Sequence, residues 1–247
     1  MSVHGDDVRA RGTPRTIGVL GGMGPEATIL LMQRILDATP AADDADHIPL
    51  LVDSNTQVPS RIAHLIEGMG EDPAPVLEAM TRRLVAMGAA ALAMPCNTAH
   101  SYAGAVRRAA GDVPFLDMVA LTAAAANEAA VTAGPVGLLA SRAVEKTAIF
   151  ADACGTRGVI YPADRDAMLS AIRAVKSGRR DAARPVLDAA AAELAAAGAA
   201  VLVVGCSEFS LLSREIGAPV PLVDSLDSLT EACVAFARAP AGATPVA

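Results

Sequence analysis

The stretch IGVLGGMGPEAT, Ile17 to Thr28, has a counterpart far down the chain in VGLLASRAVEKT, Val136 to Thr147. Each begins as a short aliphatic run and passes through a turn into a segment of helical period, which is how a buried parallel strand feeds a crossover helix. Two further blocks recur in the same order. GAAALAMPCNTAH (Gly88–His100) matches GAAVLVVGCSEFS (Gly198–Ser210), and VPFLDMV (Val113–Val119) matches VPLVDSL (Val220–Leu226). The offsets are 119, 110 and 107 residues, so order is kept while the loops differ in length. Periods this long indicate a duplicated domain, not a solenoid.

Between these blocks, short apolar runs alternate with alanine-rich helical ones. Strands are expected near Thr16–Leu20, Ile48–Asp53, Ala89–Met94, Val113–Leu116, Val136–Ala140, Gly158–Tyr161, Ala199–Val204 and Val220–Val223. Helices such as Glu26–Asp37, Pro75–Met87 and Arg180–Ala197 are expected between them. The strands read as near-continuous apolar runs without alternation, so both faces of each sheet should be covered by helices. The expected fold class is α/β: two similar domains, each a roughly four-stranded parallel sheet flanked by helices, related by a pseudo-two-fold.

Composition agrees and excludes other classes. Of 247 residues 53% are hydrophobic and 19% charged, too apolar for a disordered chain. Twenty basic against 27 acidic residues give a net charge of −7, without the basic face a nucleic-acid binder needs. Leu194–Cys206, the most apolar segment, is too short to span a bilayer, so no membrane partner is expected. Four cysteines are too few for a disulfide scaffold at this length, and residues 1–15 lack the apolar stretch of a secretory signal. A reduced, cytoplasmic protein is the expectation, with 1–15 and the tail APAGATPVA as frayed ends.

The repeat brings Cys96 and Cys206 to equivalent places, each directly after an apolar strand: ALAMP then Cys96-Asn97-Thr98, and VLVVG then Cys206-Ser207-Glu208. Carboxyl ends of strands line the ligand crevice of open α/β sheets, so both thiols should face it. Backbone N–H groups at a helix start would favour their thiolates. Cys233, in the helical run EACVAF, reads as a small core hydrophobe, and Cys154 ends a helix without a matched partner. His100, one helical turn after Cys96, is placed to tune that thiol, whereas His47 and His64 read as loop or helix-surface residues.

The glycine-rich turn carries Met23 and Gly24. Gly22-x-Gly24-x-x-Ala27 formally fits a dinucleotide fingerprint, but the strand-end Asp53 comes later than that motif requires, and a helix N-terminus taking a carboxylate explains the turn as economically. After the second strand stand Asp53-Ser54-Asn55-Thr56-Gln57 and Pro59-Ser60-Arg61. Its polar groups and guanidinium can orient a carboxylate. Taken alone, Lys176 is a surface charge.

At these residues the chain resembles the aspartate/glutamate racemase family, through GGMGPEAT, DSN-x-Q-x-P-x-R, GEDP (Gly70–Pro73), MPCNTAH and GCSE, spread over nearly its whole length. The resemblance implies a site between two domains, with Cys96 and Cys206 as the two acid/base residues. It also implies that Asn55, Thr98 and Ser207 hold the α-carboxylate and amino group, and that Arg61 and Lys176 recognise a side-chain carboxylate. Met23, Gly24, Ser54, Asn97, Ser141 and Glu208 complete the expected substrate-binding set. Domain bounds of 16–116, completed by about 221–240, and 117–220 follow, with no cofactor, no metal, an amino-acid substrate and a homodimer.

The expected activity is racemisation of an acidic amino acid, L-aspartate foremost. One sulfur would remove the Cα proton while the other delivers one to the opposite face. The sequence departs from the family where Ser141-Arg142-Ala143-Val144 replaces a Thr-Thr-Gly-Thr turn and where Ile172 stands at a commonly aromatic position, which leaves the role of Arg142 open. Another substrate on the same scaffold, or a dicarboxylate isomerase or decarboxylase, stays an alternative. So do an NAD-dependent oxidoreductase and a non-catalytic amino-acid-binding protein.

Overall fold

The computed structural model describes residues 13–240. The expected extension 1–15 lies outside it as far as residue 12, and the expected tail lies outside it beyond residue 240. Arg15 is anchored, its backbone N–H donating to the Ala237 carbonyl at 2.9 Å and its guanidinium to the Phe236 carbonyl.

All eight expected strands form: β1 (Ile17–Gly21), β2 (Leu50–Ser54), β3 (Ala91–Ala93), β4 (Phe115–Leu116), β5 (Val136–Leu139), β6 (Val159–Ile160), β7 (Val201–Val204) and β8 (Leu222–Asp224). They make two four-stranded sheets with the same order, β2-β1-β3-β4 and β6-β5-β7-β8, and every pairing is parallel. The duplication extends to packing. A Cβ on Gly18 would stand 2.7 Å from Ala89 Cβ, 3.0 Å from Leu92 Cδ2 and 3.3 Å from Leu84 Cβ. One on Gly137 would meet Leu202 Cδ2, Ala199 Cβ and Leu194 Cβ at 2.7, 3.0 and 3.1 Å. These are the same three positions 110 residues on, and only glycine lets each central strand lie so close to its neighbours.

Helices cover both faces of each sheet. On the first, α1 (Pro25–Asp37) packs on one face, while α3 (Ala74–Ala86) and α4 (Ala103–Ala110) cover the other. The short α2 (Arg61–Leu65) lies between β2 and α3 in the chain. On the second, α5 (Met118–Ala129), α6 (Arg142–Thr147) and α7 (Ile149–Cys154) lie on one face, with α8 (Arg165–Lys176) and α9 (Arg180–Ala196) on the other. α1 starts where Pro25 needs no hydrogen-bond partner and turns Ala27, Leu31 and Ile35 inward.

β8 joins the second sheet as the counterpart of β4. The helix that follows, α10 (Ser225–Arg238), returns to the first: Leu226, Leu229 and Cys233 are fully buried against Ile17, Val19 and Leu31. The expected change of domain near residue 220 therefore falls within a crossing, strand to one sheet and helix to the other. Among the described residues no helix is long and apolar enough to cross a membrane.

Candidate active site

In each sheet the chain leaves the central strand once toward each edge, which puts the switch point between β1 and β3 in the first and between β5 and β7 in the second. Such points open a crevice at the carboxyl ends of the strands. Met23 and Cys96 follow β1 and β3, and Ser141 and Cys206 follow β5 and β7. All four line one cavity of about 250 Å³. Val58, Ser60, Arg61, Ile62, Thr98, Ile172, Lys176 and Glu208 complete its wall. Both lobes contribute, and each gives one cysteine.

The two thiols are free and buried, 6% and 7% exposed. Burial, which disfavours the charged form, pushes both above the ordinary thiol range, contrary to the expectation that helix-start N–H groups would lower them. The Ala99 N–H at Cys96 and the Glu208 N–H at Cys206 do pull downward, but less than burial raises. The second turn never becomes an α-helix; it runs through two short 3₁₀ turns, 209–211 and 213–215.

Their surroundings differ. The Arg61 charge opposes the rise at Cys96. Cys206 is driven up further by Glu208, whose Oε2 accepts from Sγ at 3.1 Å while Oε1 pairs with Lys176 Nζ at 3.1 Å. The Arg61 guanidinium donates only to the carbonyls of Val58, Pro59 and Met23, at 3.1–3.3 Å, and its buried Nε has no partner. Among the described residues no carboxylate pairs with it, and Arg61 lines the cavity with its charge held only by backbone carbonyls.

His100 does not touch the thiol. Its Nδ1 lies 2.9 Å from the Cys96 carbonyl and its Nε2 accepts from the Met118 N–H at 3.1 Å, a pattern only the neutral Nδ1–H tautomer satisfies. Burial lowers its pKa in agreement. It therefore fixes the backbone of the Cys96 turn.

Eight of the expected site residues share the cavity wall: Met23, Arg61, Cys96, Thr98, Ser141, Lys176, Cys206 and Glu208. Five stand off it. Asn55 is used in its own turn, where Oδ1 accepts from the Gln57 N–H at 2.9 Å, and Ser54 is exposed at the end of β2. Asn97 Nδ2 donates to Ser225 Oγ at 2.9 Å, Ser207 is buried, and Gly24 caps α1 with its Cβ position 3.8 Å from Glu208 Oε1. Ser141 caps α6 through Val144 N–H, and Arg142 faces away into a separate polar groove with Glu145 and Arg165. Gly22, at φ +87°, would drive a Cβ within 2.6 Å of the Asn55 backbone, so chain against chain accounts for that glycine.

Val58 and Ile62 escaped the sequence reading. Ser60, quoted there in Pro59-Ser60-Arg61, is on the wall and also caps α2, its Oγ accepting from Ala63 N–H at 3.2 Å. Among the described residues no group of three or more His, Cys, Asp or Glu side chains could share a metal ion.

A two-lobed α/β protein with one buried thiol from each lobe lining a single small cavity has the frame of an enzyme acting on a small molecule. The Asp/Glu/hydantoin racemase family model matches residues 20–233, and the chain belongs to that family, whose members are isomerases. Among solved structures, the aspartate racemase of Picrophilus torridus is similar at 25% identity, over 90% of this chain and 94% of that one, with a TM-score of 0.78. An aspartate racemase homologue from Pyrococcus horikoshii matches at 18% identity over 90% and 99% of the two chains, TM-score 0.70. The glutamate racemase RacE1 of Bacillus anthracis matches at 15% over 90% and 80%, TM-score 0.60, and shares the fold.

Proposed function

We propose that this protein interconverts the enantiomers of an acidic amino acid, aspartate foremost, by two-base chemistry at Cys96 and Cys206 without a cofactor. The observation that carries the reading is that two free thiols, one from each lobe, line a single cavity with Arg61 and Lys176. At about 250 Å³ it is smaller than the roughly 300–1,000 Å³ of pockets for drug-sized ligands, which suits a small metabolite. Its charges, Arg61 and Lys176 against Glu208, complement a molecule with two carboxylates and one ammonium group.

The unequal surroundings distinguish the two sulfurs. Burial raises both, but the Arg61 charge opposes the rise at Cys96, so Cys96 is the sulfur that loses its proton more readily. Once ionised, it takes the Cα proton of one enantiomer, the roles exchanging for the other. Cys206, held as a thiol by its hydrogen bond to Glu208, gives its proton to the other face. The product leaves Cys96 protonated and Cys206 ionised, and proton exchange with solvent resets the pair. The carbanion between them is stabilised by the cations and by exclusion of water. Aspartate racemase activity in the Picrophilus relative supports the substrate, and the resemblance supports a homodimer, which light scattering in solution would test.

The test is incubation of both enantiomers of aspartate, glutamate and neutral amino acids in D2O, followed by chiral separation and mass spectrometry. Interconversion with deuterium at Cα, confined to acidic substrates, is expected. Aspartate that binds without ever acquiring deuterium would make the protein a binder and overturn the reading.

A further inference from the structure

Arg34 lies on α1 of the first lobe, yet its guanidinium reaches the segment that carries Cys206. Nη2 donates to the Ser210 carbonyl at 2.7 Å and to Ser213 Oγ at 3.2 Å. Nη1 meets Asp224 Oδ2 at 2.7 Å and Asp227 Oδ1 at 3.0 Å. The other Asp224 oxygen accepts from Ser210 Oγ at 2.6 Å and from the Leu226 N–H at 2.9 Å. The side chains of Arg34 and Asp224 are 9% and 3% exposed, so this is a buried network, and removing one member leaves charge unpaired.

Its position is telling. Ser210 follows Cys206 by four residues, as His100 follows Cys96, and Asp224 matches Asp117 in the repeat. At the Cys96 turn His100 alone ties the Cys96 carbonyl to the Met118 N–H at the start of α5. At the Cys206 turn, serine is too short to do the same. It reaches Asp224, and the span back to the turn's backbone is made by an arginine from across the lobes. None of the groups in this network lines the cavity.

We infer that Arg34 is a positioning residue for Cys206: reaching across from the first lobe, it holds the turn that carries this sulfur and sets its reactivity separately from that of Cys96. The inference rests on the two-base reading only in what the reactivity is used for. A guanidinium spans Asp224 and the Ser210 carbonyl at once; a lysine ammonium reaches one of them.

The experiment compares the two thiols inside one protein. Iodoacetamide labelling of Cys96 and Cys206 is followed by peptide mass spectrometry across a pH series in wild type, Arg34→Lys and Arg34→Met. Labelling of Cys206 should become severalfold faster, with its pH profile changed, while Cys96 stays as in wild type, and lysine should restore part of what methionine loses. Racemisation should fall by up to about a hundredfold, the cost of displacing a reacting group by roughly 1 Å. If Arg34→Met fails to fold, Ser213→Ala removes one partner of the guanidinium and should show the same one-sided change, smaller. Equal acceleration at both thiols would reduce Arg34 to general structural glue, and no change at either would remove it from the account. A wild type without Cα exchange would instead strike the racemase reading and leave the labelling contrast standing.

Discussion

The Cys96 and Cys206 turns occupy the same place in two sheets of the same strand order, and chemically they are not alike. Cys96 lies near the Arg61 cation, which pairs with no carboxylate among the described residues, and its turn is held by a neutral histidine. Cys206 donates a hydrogen bond to a carboxylate, on a turn held by an ionic network reached from the other lobe. Duplication thus supplied two equivalent positions with different surroundings, and on the proposed two-base reading these make Cys96 the readier base and Cys206 the readier acid.

The harshest test removes one sulfur at a time. Cys96→Ala and Cys206→Ala should each lower racemisation by about 10²–10⁴-fold, the usual worth of a general acid or base, measured by circular dichroism of aspartate turnover. Full turnover in either variant would end two-base chemistry. A smaller change should come from Glu208→Gln, which removes the negative charge that helps raise Cys206 and leaves a neutral amide in its place. Labelling of Cys206 by iodoacetamide should then begin at lower pH. Cys96 should follow by less, because Glu208 is a weaker influence there than burial and Arg61. A Cys206 profile that does not move would mean burial alone sets this thiol.

His100 separates the turns by stability. Burial keeps it from charging in the folded protein, whereas in the unfolded chain it takes a proton near its ordinary pKa of 6.5. Its contribution is therefore complete above that pH and is lost as pH falls from there toward its lowered folded value, because the unfolded state binds more protons in that window. His100→Leu should cost roughly 1–3 kcal/mol at neutral pH by orphaning the Cys96 carbonyl and Met118 N–H. It should also flatten the decline in urea-unfolding stability just below pH 6.5. A decline as steep in the variant would assign it to other groups.

How far this was legible follows from which signals are local. The strands were readable because a parallel strand buried on both faces is a continuous apolar run, and even the two-residue β4 and β6 lie within such runs. The cysteines were readable because strand-end placement survives in sequence. What surrounds them was not. Burial outweighs the backbone N–H groups only once both lobes are in place, Glu208 becomes a thiol acceptor only through its rotamer, and Arg34 is one charge in a helix 176 residues from Ser210. Asn55 shows a further contact the string does not announce: its Oδ1 accepts from the Gln57 N–H within its own turn.

The finest contrast lies in the strands beneath the site. Gly18→Ala and Gly137→Ala each insert a methyl where matched neighbours leave no room, and overpacking of this kind costs about 1–3 kcal/mol. The two should not cost the same. At Gly18 the nearest atom, 2.7 Å away, is Ala89 Cβ, fixed to the backbone, so relief needs the strand or the loop before β3 to shift. At Gly137 the nearest atom, also at 2.7 Å, is Leu202 Cδ2, the far end of a side chain that can turn, with Ala199 Cβ next at 3.0 Å. Urea denaturation should therefore place Gly18→Ala below Gly137→Ala in stability. Equal losses would show that Leu202 is locked as firmly as backbone, and the reverse order would show that the first lobe has the more yielding core.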